Sequence, residues 1–397
     1  MTALRKINTF YNLILHYEVD VTILIYFDYA ATTPIDSDAL KVWVDASQQF
    51  YGNSSSLHDC GSQSAKLLDV SRQQLAALLH VEKEHVIFTS GGSESNVLAI
   101  DTLLASKHPH KNHILVSQAE HASIYQYVEK LKNNGYHITY LEHLQDGTID
   151  LNYLETQLSE QTCLIIVQHV NSETGVVQPI ENIRTLLHNR DIFLHVDCVQ
   201  SFAKLPLQSI SRACDSMAIS SHKVYGPKGV GAVIFPNKHK LKPALPNVTH
   251  EYGFRAGTVN VPGIAAFVTA ATKLANQLDQ ELARISTLRT QFIELLQESN
   301  VLFEVIESKR SQLPHILALT CSGLQGQYIM IELNRRGLAI STGSACQIDK
   351  QEPSKMMLAM GKTIEEAHQL IRLSFGKMTT EADVKKLAEN FVQAVVQ

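Results

Sequence analysis

The sequence has few of the residues that mark specialised protein classes. Its 397 residues include one tryptophan, 11 prolines and six cysteines, and no two cysteines form a C-x-x-C pair. Neither a disulfide framework nor a closed zinc site is therefore expected, and we predict no metal. The net charge is −5, so no global basic field favours nucleic acid, and direct nucleic acid binding is not expected. No stretch approaches the ~20 consecutive apolar residues of a membrane helix, so no membrane partner is expected either.

What the sequence does contain is typical of a large soluble protein. Hydrophobic residues make up 45% and charged residues 18% of the chain, and its length favours more than one domain. Near the N-terminus an apolar stretch follows two basic residues, but Asn12, His16, Glu18 and Asp20 interrupt it and no small-residue cleavage site follows. We therefore expect a cytoplasmic protein. The segment 1–25 is then either a loosely attached extension or the result of a misassigned start.

Short apolar runs alternate with helical patterns through the first half of the chain. Such runs, apolar on both faces and bounded by turn residues, are typical of a largely parallel sheet that is covered by helices. The candidate strands are 86–89, 114–117, 163–170, 192–196, 217–220 and 231–235. The sequence therefore predicts an α/β fold.

The second half of the chain carries different patterns. An apolar stripe from Phe267 to Leu295 predicts one long amphipathic helix, within which we place a domain boundary near residue 279. Further on, Thr363-x-x-Glu366 and Thr380-x-x-Asp383 predict two helix starts on either side of a short apolar strand, 371–375.

Two charged residues stand at the ends of apolar runs. Lys223 lies in SSHKVYGPKG, and burial lowers the pKa of a lysine, which prepares it for Schiff-base chemistry. The alternative is a solvated loop lysine. Asp197 ends the run HVD, where a carboxylate needs a partner such as the pyridinium nitrogen of pyridoxal phosphate. The alternative for Asp197 is a helix N-cap.

Three further segments carry candidate site residues. The segment SGGSESN (90–96) opens a helix and suits a phosphate, although Gly-Ser turns before helices are common. His121 follows a strand and could stack on an aromatic cofactor or move protons, or it is an ordinary loop histidine. Arg372 lies within an apolar strand, where it binds either a substrate carboxylate or a structural acid.

The six cysteines differ in their surroundings. Five of them read as scattered, reduced thiols of a cytosolic protein. Cys346 instead lies in the polar stretch STGSACQIDKQEPSK, which predicts an exposed, mobile loop. A reactive thiol has to be reachable and able to lose its proton, so Cys346 is a candidate nucleophile, and a structural cysteine is the alternative.

With these residues assembled, the chain resembles the cysteine desulfurases of the NifS/IscS type, within the class V aminotransferase family of pyridoxal phosphate enzymes. The resemblance runs from about residue 26 to the C-terminus, with ten motifs in the family's order. These motifs are YFDYAATTP, GNSSSLH, FTSGGSESN, AEHASI, VNSETG, HVDCVQS, SSHKVYGPKG, FRAGT, STGSAC and IRLSFG. Two departures are Ser93, where the family has threonine, and Asn247–Glu251, where the family has a glycine-rich stretch.

The resemblance implies a role for each matching residue. Lys223 would carry the cofactor as a Schiff base, Cys346 would receive sulfur as a persulfide, and His121 would stack on the cofactor ring. Asn171 and Arg372 would hold the substrate carboxylate. The implied ligands of pyridoxal 5′-phosphate are Gly92, Ser93, His121, Asn171, Asp197, Gln200, Ser220, His222, Lys223 and Thr258. Thr258 would reach the phosphate of a neighbouring subunit, which implies a homodimer.

The resemblance also implies the fold and the reaction. We expect an aspartate aminotransferase-like fold with a large domain over 36–278. Residues 1–35 and 279–397 would form a smaller α+β domain that carries the cysteine loop, at about 341–355. The reaction would convert L-cysteine to L-alanine and deliver sulfur to iron–sulfur cluster assembly or tRNA thiolation. Alternatives are another enzyme of this fold, such as a selenocysteine lyase, and a non-catalytic scaffold.

Overall fold

The computed structural model describes residues 24–343 and 352–396. Cys346 and the central part of the predicted loop therefore lie outside the described residues. The strands are β1 (Ile25–Tyr26), β2 (Val86–Thr89), β3 (His113–Ser117), β4 (His137–Leu141), β5 (Thr162–Gln168), β6 (Phe193–Asp197), β7 (Ser216–Ser220), β8 (Gly231–Ile234), β9 (Phe303–Ile306), β10 (Ile316–Cys321), β11 (Leu338–Ala339) and β12 (Ile371–Ser374).

Helices alternate with these strands. They are α1 (Ser37–Gln49), α2 (Asp59–Leu79), α3 (Gly92–Ser106), α4 (Ala122–Asn133), α5 (Leu151–Gln157), α6 (Ile180–Leu186), α7 (Gln208–Ala213), α8 (Val261–Ala275), α9 (Leu278–Gln297), α10 (Gly326–Arg335), α11 (Lys355–Ala359), α12 (Ile364–His368) and α13 (Glu381–Val396). Within the described part of the chain, no helix combines the length and the apolar character needed to cross a lipid bilayer.

A seven-stranded sheet forms the centre of the molecule, in the order β2-β8-β7-β6-β5-β3-β4. The strands from β7 to β4 are parallel, and β8 runs antiparallel to both of its neighbours. The predicted α/β fold with a mostly parallel sheet is confirmed, and all six candidate strands belong to this sheet. The sequence analysis missed β4, because this edge strand is half-buried and lacks a continuous apolar run.

A second sheet lies in the C-terminal half, in the order β12-β10-β9, with antiparallel pairing throughout. Helices α9, α10 and α13 supply apolar residues to the same core as this sheet. The prediction of one long helix from Phe267 to Leu295 is wrong, because α8 ends at Ala275 and α9 begins at Leu278. The apolar stripe continues across the break, since both helices bury one face. The domain boundary near residue 279 stays a prediction.

The chain segment just after β1 connects the two sheets. β1 pairs with β11, and Phe27 packs edge-on against Phe375 in the C-terminal core. The N–H of Ala30 donates to Ser374 Oγ at 2.8 Å. A few residues later, the N–H of Thr33 donates to the carbonyl of His222 at 2.9 Å, beside the central sheet. This connection places Ala30 and Ala31 between the two halves of the molecule.

The segment that replaces the family's glycine-rich stretch has an unusual backbone. Asn247, Glu251 and Tyr252 have φ between 47° and 60°, the left-handed region that favours glycine. The buried Glu251 carboxylate accepts from both Nη atoms of Arg72, at 2.6 and 2.8 Å, and from the Phe88 N–H at 2.7 Å. These bonds fix the segment against α2 and β2, because a buried charge is costly unless it is fully paired.

Candidate active site

A cavity of about 280 Å³ opens where the parallel strands of the central sheet end at their carboxyl termini. Ligands of open α/β sheets bind at this edge. The cavity is lined by residues from the strand ends, from the segment after β1 and from β12. Those that the sequence analysis named are Gly92, Ser93, His121, Asp197, Gln200, Ser220, His222, Lys223 and Arg372.

Asp197 ends β6 and is 7% exposed. Its Oδ1 accepts from the N–H of Val199 at 2.9 Å, and its Oδ2 accepts from Asn96 Nδ2 at 2.8 Å. Both readings of Asp197 are therefore compatible: one oxygen caps the turn that follows the strand, and the carboxylate still lines the cavity.

The glycine-rich turn lies between β2 and α3. Gly91 has a φ of 154° and extended ψ, a region open essentially to glycine alone. A Cβ atom on Gly92 would lie 2.8 Å from Val199 Cγ2, so a side chain there would collide with the turn after β6. The first N–H groups of α3 have no acceptor within the helix and point out of its N-terminus, where an anion is favoured.

Lys223 follows β7 in a short 3-10 turn and is half-buried. Its Nζ donates to the carbonyl oxygens of Ala30 and Ala31, at 2.5 and 2.7 Å. Gln200 Nε2 donates to the same Ala30 carbonyl at 2.9 Å. The lysine is therefore held at the cavity wall by the segment after β1, which excludes the reading of a solvated loop lysine.

His121 caps the N-terminus of α4 and lines the cavity with an exposed ring. Its Nδ1 accepts from the Ser123 N–H at 3.2 Å and lies 2.8 Å from Ser123 Oγ. Because Nδ1 accepts, the neutral ring carries its hydrogen on Nε2.

Arg372 and Asn171 occupy different positions. Arg372 lines the cavity, but its Nη2 donates to Asp28 at 2.7 Å and its Nη1 to the Ser172 carbonyl at 3.0 Å. The structural ion pair considered for Arg372 is therefore present. The Asn171 side-chain oxygen accepts from Thr174 Oγ1 at 3.0 Å, and the residue is not part of the cavity wall.

Thr258 is exposed and also lies outside the cavity wall. The same FRAGT segment contacts the glycine-rich turn between β2 and α3 through Glu94. Arg255 Nε donates to Glu94 Oε1 at 2.6 Å, and Glu94 Oε2 accepts from the Ser90 N–H at 2.6 Å. The structure thus brings together nine of the site residues predicted within its described parts, and leaves Asn171 and Thr258 apart from them.

The chain matches the family Aminotransferase class-V over residues 25–387. This match covers most of its length. The chain belongs to the class V aminotransferase family. A protein named putative cysteine desulfurase NifS, from Bacillus subtilis (strain 168), is 43% identical over 370 residues, which is 93% of this chain and 94% of that protein. A protein named cysteine desulfurase, from Nostoc sp., is 35% identical over 92% of this chain and 91% of its own length.

Solved structures of similar proteins have the same fold. A NifS-like protein is 26% identical, with a TM-score of 0.87, over 94% of this chain and 100% of its own. A second structure, described as SspA in complex with cysteine, is 30% identical with a TM-score of 0.77, over 88% and 98% of the two chains. The predicted aminotransferase-like fold of pyridoxal phosphate enzymes is thereby confirmed.

The cavity of this class V family member fits the cofactor that the family uses, pyridoxal 5′-phosphate. Ser220 Oγ and Gln200 Oε1 are buried at the cavity and have no hydrogen-bond partner among the described residues. A phosphate oxygen would accept from the Ser220 hydroxyl, and the ring hydroxyl would donate to Gln200. The Asp197 carboxylate suits a pyridinium nitrogen and the Lys223 amine suits the aldehyde. The Ser220 hydroxyl and the Gln200 amide oxygen are otherwise costly to bury, because nothing in the described part of the chain pairs with them.

The polar residues of the cavity wall to which sequence reasoning assigned no role include Asn96, Glu120 and Glu173. Asn96 lies four residues after Gly92, and this helical spacing could have placed it on the same face of α3. Glu120 directly precedes His121. The half-buried Glu173 accepts from Ser354 Oγ and from the Met356 N–H, so it holds the start of α11, just after the cysteine segment.

Glu120 gives the site a pH-dependent stability. Burial raises its pKa from the usual 4.5 to about 8, and the neighbouring Asp197 charge adds to the effect. Because its folded pKa lies above its unfolded pKa, Glu120 stabilises the fold below about 4.5 and loses that contribution as the pH rises through about 8. Between these two pH values, ionisation of Glu120 lowers the free energy of unfolding by up to about 1.4 kcal/mol per pH unit. We expect this decrease to be absent in Glu120→Gln, because the amide does not ionise.

Urea unfolding of the two proteins across this window measures the difference. The exposed glutamate Glu365 provides the matched control, because Glu365→Gln changes the same functional group away from the cavity. Parallel stability curves for Glu120→Gln and the unchanged protein would show that Glu120 is ionised throughout.

Proposed function

We propose that this protein takes sulfur from L-cysteine, releases L-alanine and holds the sulfur as a persulfide on Cys346. It is a cysteine desulfurase that depends on pyridoxal phosphate, since relatives with that name match more than nine-tenths of the chain. The observation that carries the proposal is the cavity itself. It gathers an amine, a carboxylate, an imidazole and an anion-binding turn within about 280 Å³.

When bound, pyridoxal phosphate supplies an electron sink for the carbon skeleton of the substrate. Lys223 would hold the aldehyde and, once free, move the proton at the substrate Cα, because its Nζ lies at the cavity wall. Asp197 would keep the ring nitrogen protonated. The turn at Gly92 and Ser93, together with Ser220 and His222, would bind the phosphate. Burial beside Lys223 lowers the pKa of His222 to about 4, so its ring is neutral.

Arg372 would hold the substrate carboxylate. Its Nε is buried without a hydrogen-bond partner among the described residues, while its two Nη atoms are engaged. Asn171 would help to position Arg372, because it directly precedes Ser172, whose carbonyl accepts from Arg372. A guanidinium so placed orients a carboxylate with charge-assisted bonds.

Sulfur transfer needs a thiolate from the enzyme. The Cys346 sulfur would attack the substrate sulfur, so that a sulfur–sulfur bond forms and the carbon–sulfur bond breaks. The carbon keeps the electron pair of that bond and takes up a proton, which gives alanine. Among the described residues, four of the five cysteines support this assignment because they are buried. Cys163, Cys198, Cys214 and Cys321 are buried and have raised thiol pKa values, and Cys60 alone is exposed.

The protein would act as a cytoplasmic homodimer. Thr258 is exposed and lies in the FRAGT segment, whose Arg255 pairs with Glu94 at the glycine-rich turn. This position supports a contact between the FRAGT segment and a second copy of the chain. The persulfide would pass to an acceptor protein, either an iron–sulfur scaffold or a tRNA thiolation enzyme. None of the relatives reported above carries the name selenocysteine lyase.

Mapping the persulfide tests this proposal. The holoenzyme is incubated with L-cysteine, alkylated, digested without reductant and examined by mass spectrometry, while alanine is quantified. We expect alanine together with one extra sulfur atom on the peptide that contains Cys346. The peptide that contains Cys60 serves as the internal control, since it carries the other candidate thiol. Alanine formation with the sulfur on Cys60, or with none on protein, would contradict the proposal.

A further inference from the structure

Three polar side chains form a chain of hydrogen bonds behind Asp197. Asn96 Nδ2 lies 2.8 Å from Asp197 Oδ2, and Asn96 Oδ1 lies 3.1 Å from His195 Nε2. His195 Nδ1 lies 2.8 Å from Ser216 Oγ. Asn96, His195 and Ser216 are at most 1% exposed, so water does not compete for these bonds.

The chemistry of the groups fixes the direction of every bond. A carboxylate can only accept, so the Asn96 atom that faces Asp197 is the amide nitrogen. The amide oxygen therefore faces His195 and accepts a hydrogen from Nε2. Burial lowers the pKa of His195 to about 3, so the ring is neutral and Nδ1 is an acceptor for the Ser216 hydroxyl. All three donors point towards Asp197, and the chain ends on its carboxylate.

Asn96 also reaches the imidazole of the site. Its Nδ2 lies 3.4 Å from Ser123 Oγ, and that oxygen lies 2.8 Å from His121 Nδ1. A primary amide carries two hydrogens, so one can be donated to Asp197 and the other to Ser123. One amide group thus connects the acid and the imidazole that the proposed function assigns to the cofactor ring.

We propose that Asn96 is a positioning residue that fixes Asp197 and His121 together, and that His195 and Ser216 set the orientation of its amide. The inference rests on the proposed function, which gives Asp197 the ring nitrogen. Donors that converge on a carboxylate stabilise its charge, and a charged Asp197 keeps a proton on the ring nitrogen. Glu120 also has a carboxyl group in this region, but it accepts from the Gln168 N–H and takes no part in this series of hydrogen bonds.

The protonation of the ring nitrogen tests the inference without reference to activity. Holoenzyme is prepared with pyridoxal phosphate labelled at the ring nitrogen and titrated by nitrogen NMR. We expect Asn96→Leu and His195→Asn to lower the proton affinity of the ring nitrogen by about ten-fold, because a hydrogen bond to a charged group contributes enough free energy for a change of that size. His195→Gln places an amide nitrogen near the position of Nε2, and we expect it to retain the affinity of the unchanged protein.

Two further variants separate the inference from general effects. Thr102 lies buried on the same helix as Asn96, and its hydroxyl has no hydrogen-bond partner among the described residues. Thr102→Val should therefore titrate like the unchanged protein. Ser123→Ala removes only the arm towards His121. We expect it to change the circular dichroism of the bound cofactor and to leave the ring-nitrogen titration unchanged.

Each outcome has a defined meaning, and unchanged circular dichroism of the cofactor in Ser123→Ala would overturn the proposed link between Asn96 and His121. Asp197→Ala must lower the proton affinity; if it does not, the assignment of Asp197 in the proposed function fails. If Asp197→Ala lowers the affinity but Asn96→Leu and His195→Asn do not, the inference is overturned and the proposed function stands. An equal loss in Thr102→Val would also overturn it. Should Asn96→Leu fail to fold, the comparison of His195→Gln with His195→Asn decides.

Discussion

Lys223→Ala lowers the rate of alanine formation by about 10²- to 10⁴-fold, the range expected when a group that moves a proton is lost. The amine would also no longer bind the aldehyde of the cofactor, so we expect the variant to release pyridoxal phosphate on dialysis. Borohydride reduction of the unchanged holoenzyme, followed by peptide mapping, should locate the cofactor on the peptide of Lys223. Steady-state assays with L-cysteine measure the loss of rate.

Two other lysines serve as an alternative site and as a control in this experiment. Lys204 is buried near Lys223, and burial lowers its pKa to about 7, so it is the strongest alternative amine. A reduced cofactor on Lys204 would overturn the assignment of Lys223. Lys228 lies in the same SSHKVYGPKG motif but is exposed, and Lys228→Ala should keep both the cofactor and the rate.

Cys346→Ser is expected to lower alanine formation by at least about 10³-fold, because a hydroxyl cannot replace a thiolate as the nucleophile towards sulfur. The cofactor-binding residues are unchanged, so the variant should retain pyridoxal phosphate and still change its absorption when L-cysteine is added. Alanine assays and absorption spectra of the same preparation separate the two halves of the reaction.

Cys60→Ser is the matched control. Cys60 is an exposed cysteine at the start of α2, and its sulfur lies 3.9 Å from the hydroxyl of Tyr51. Its replacement should leave the rate unchanged. Full activity in Cys346→Ser combined with loss in Cys60→Ser would reverse the two assignments.

Much of the fold could be predicted from the sequence because the central strands are buried on both faces. The predicted strand 163–170 begins with five apolar residues in succession, and its strand β5 ends only two residues earlier than predicted, at Gln168. Lys223 and Asp197 were predictable for a related reason. A charged residue within three positions of the end of such a run falls at the carboxyl edge of the sheet, where the neighbouring parallel strands also end.

Other features depend on contacts between distant residues. The chain from Phe267 to Leu295 keeps one apolar stripe, so the break between α8 and α9 left no mark on the pattern. The partner of Arg372 is Asp28, 344 residues away, and no local sequence pattern predicts that ion pair. Asn96 looks like any polar residue in the first turns of a helix, and its importance follows from its contacts with His195 and Asp197, which lie about 100 residues later on β6.

The pairing of β1 with β11, and of Ser374 with Phe27 and Ala30, has a consequence for biosynthesis. The first described strand of the nascent chain has no partner until β11, which pairs with it through Leu338 and Ala339, has left the ribosome. The central sheet can assemble during translation, whereas the segment around β1 stays unpaired until the C-terminal core has been synthesised. Contacts of such long sequence separation slow folding and leave apolar residues such as Phe27 uncovered in the meantime.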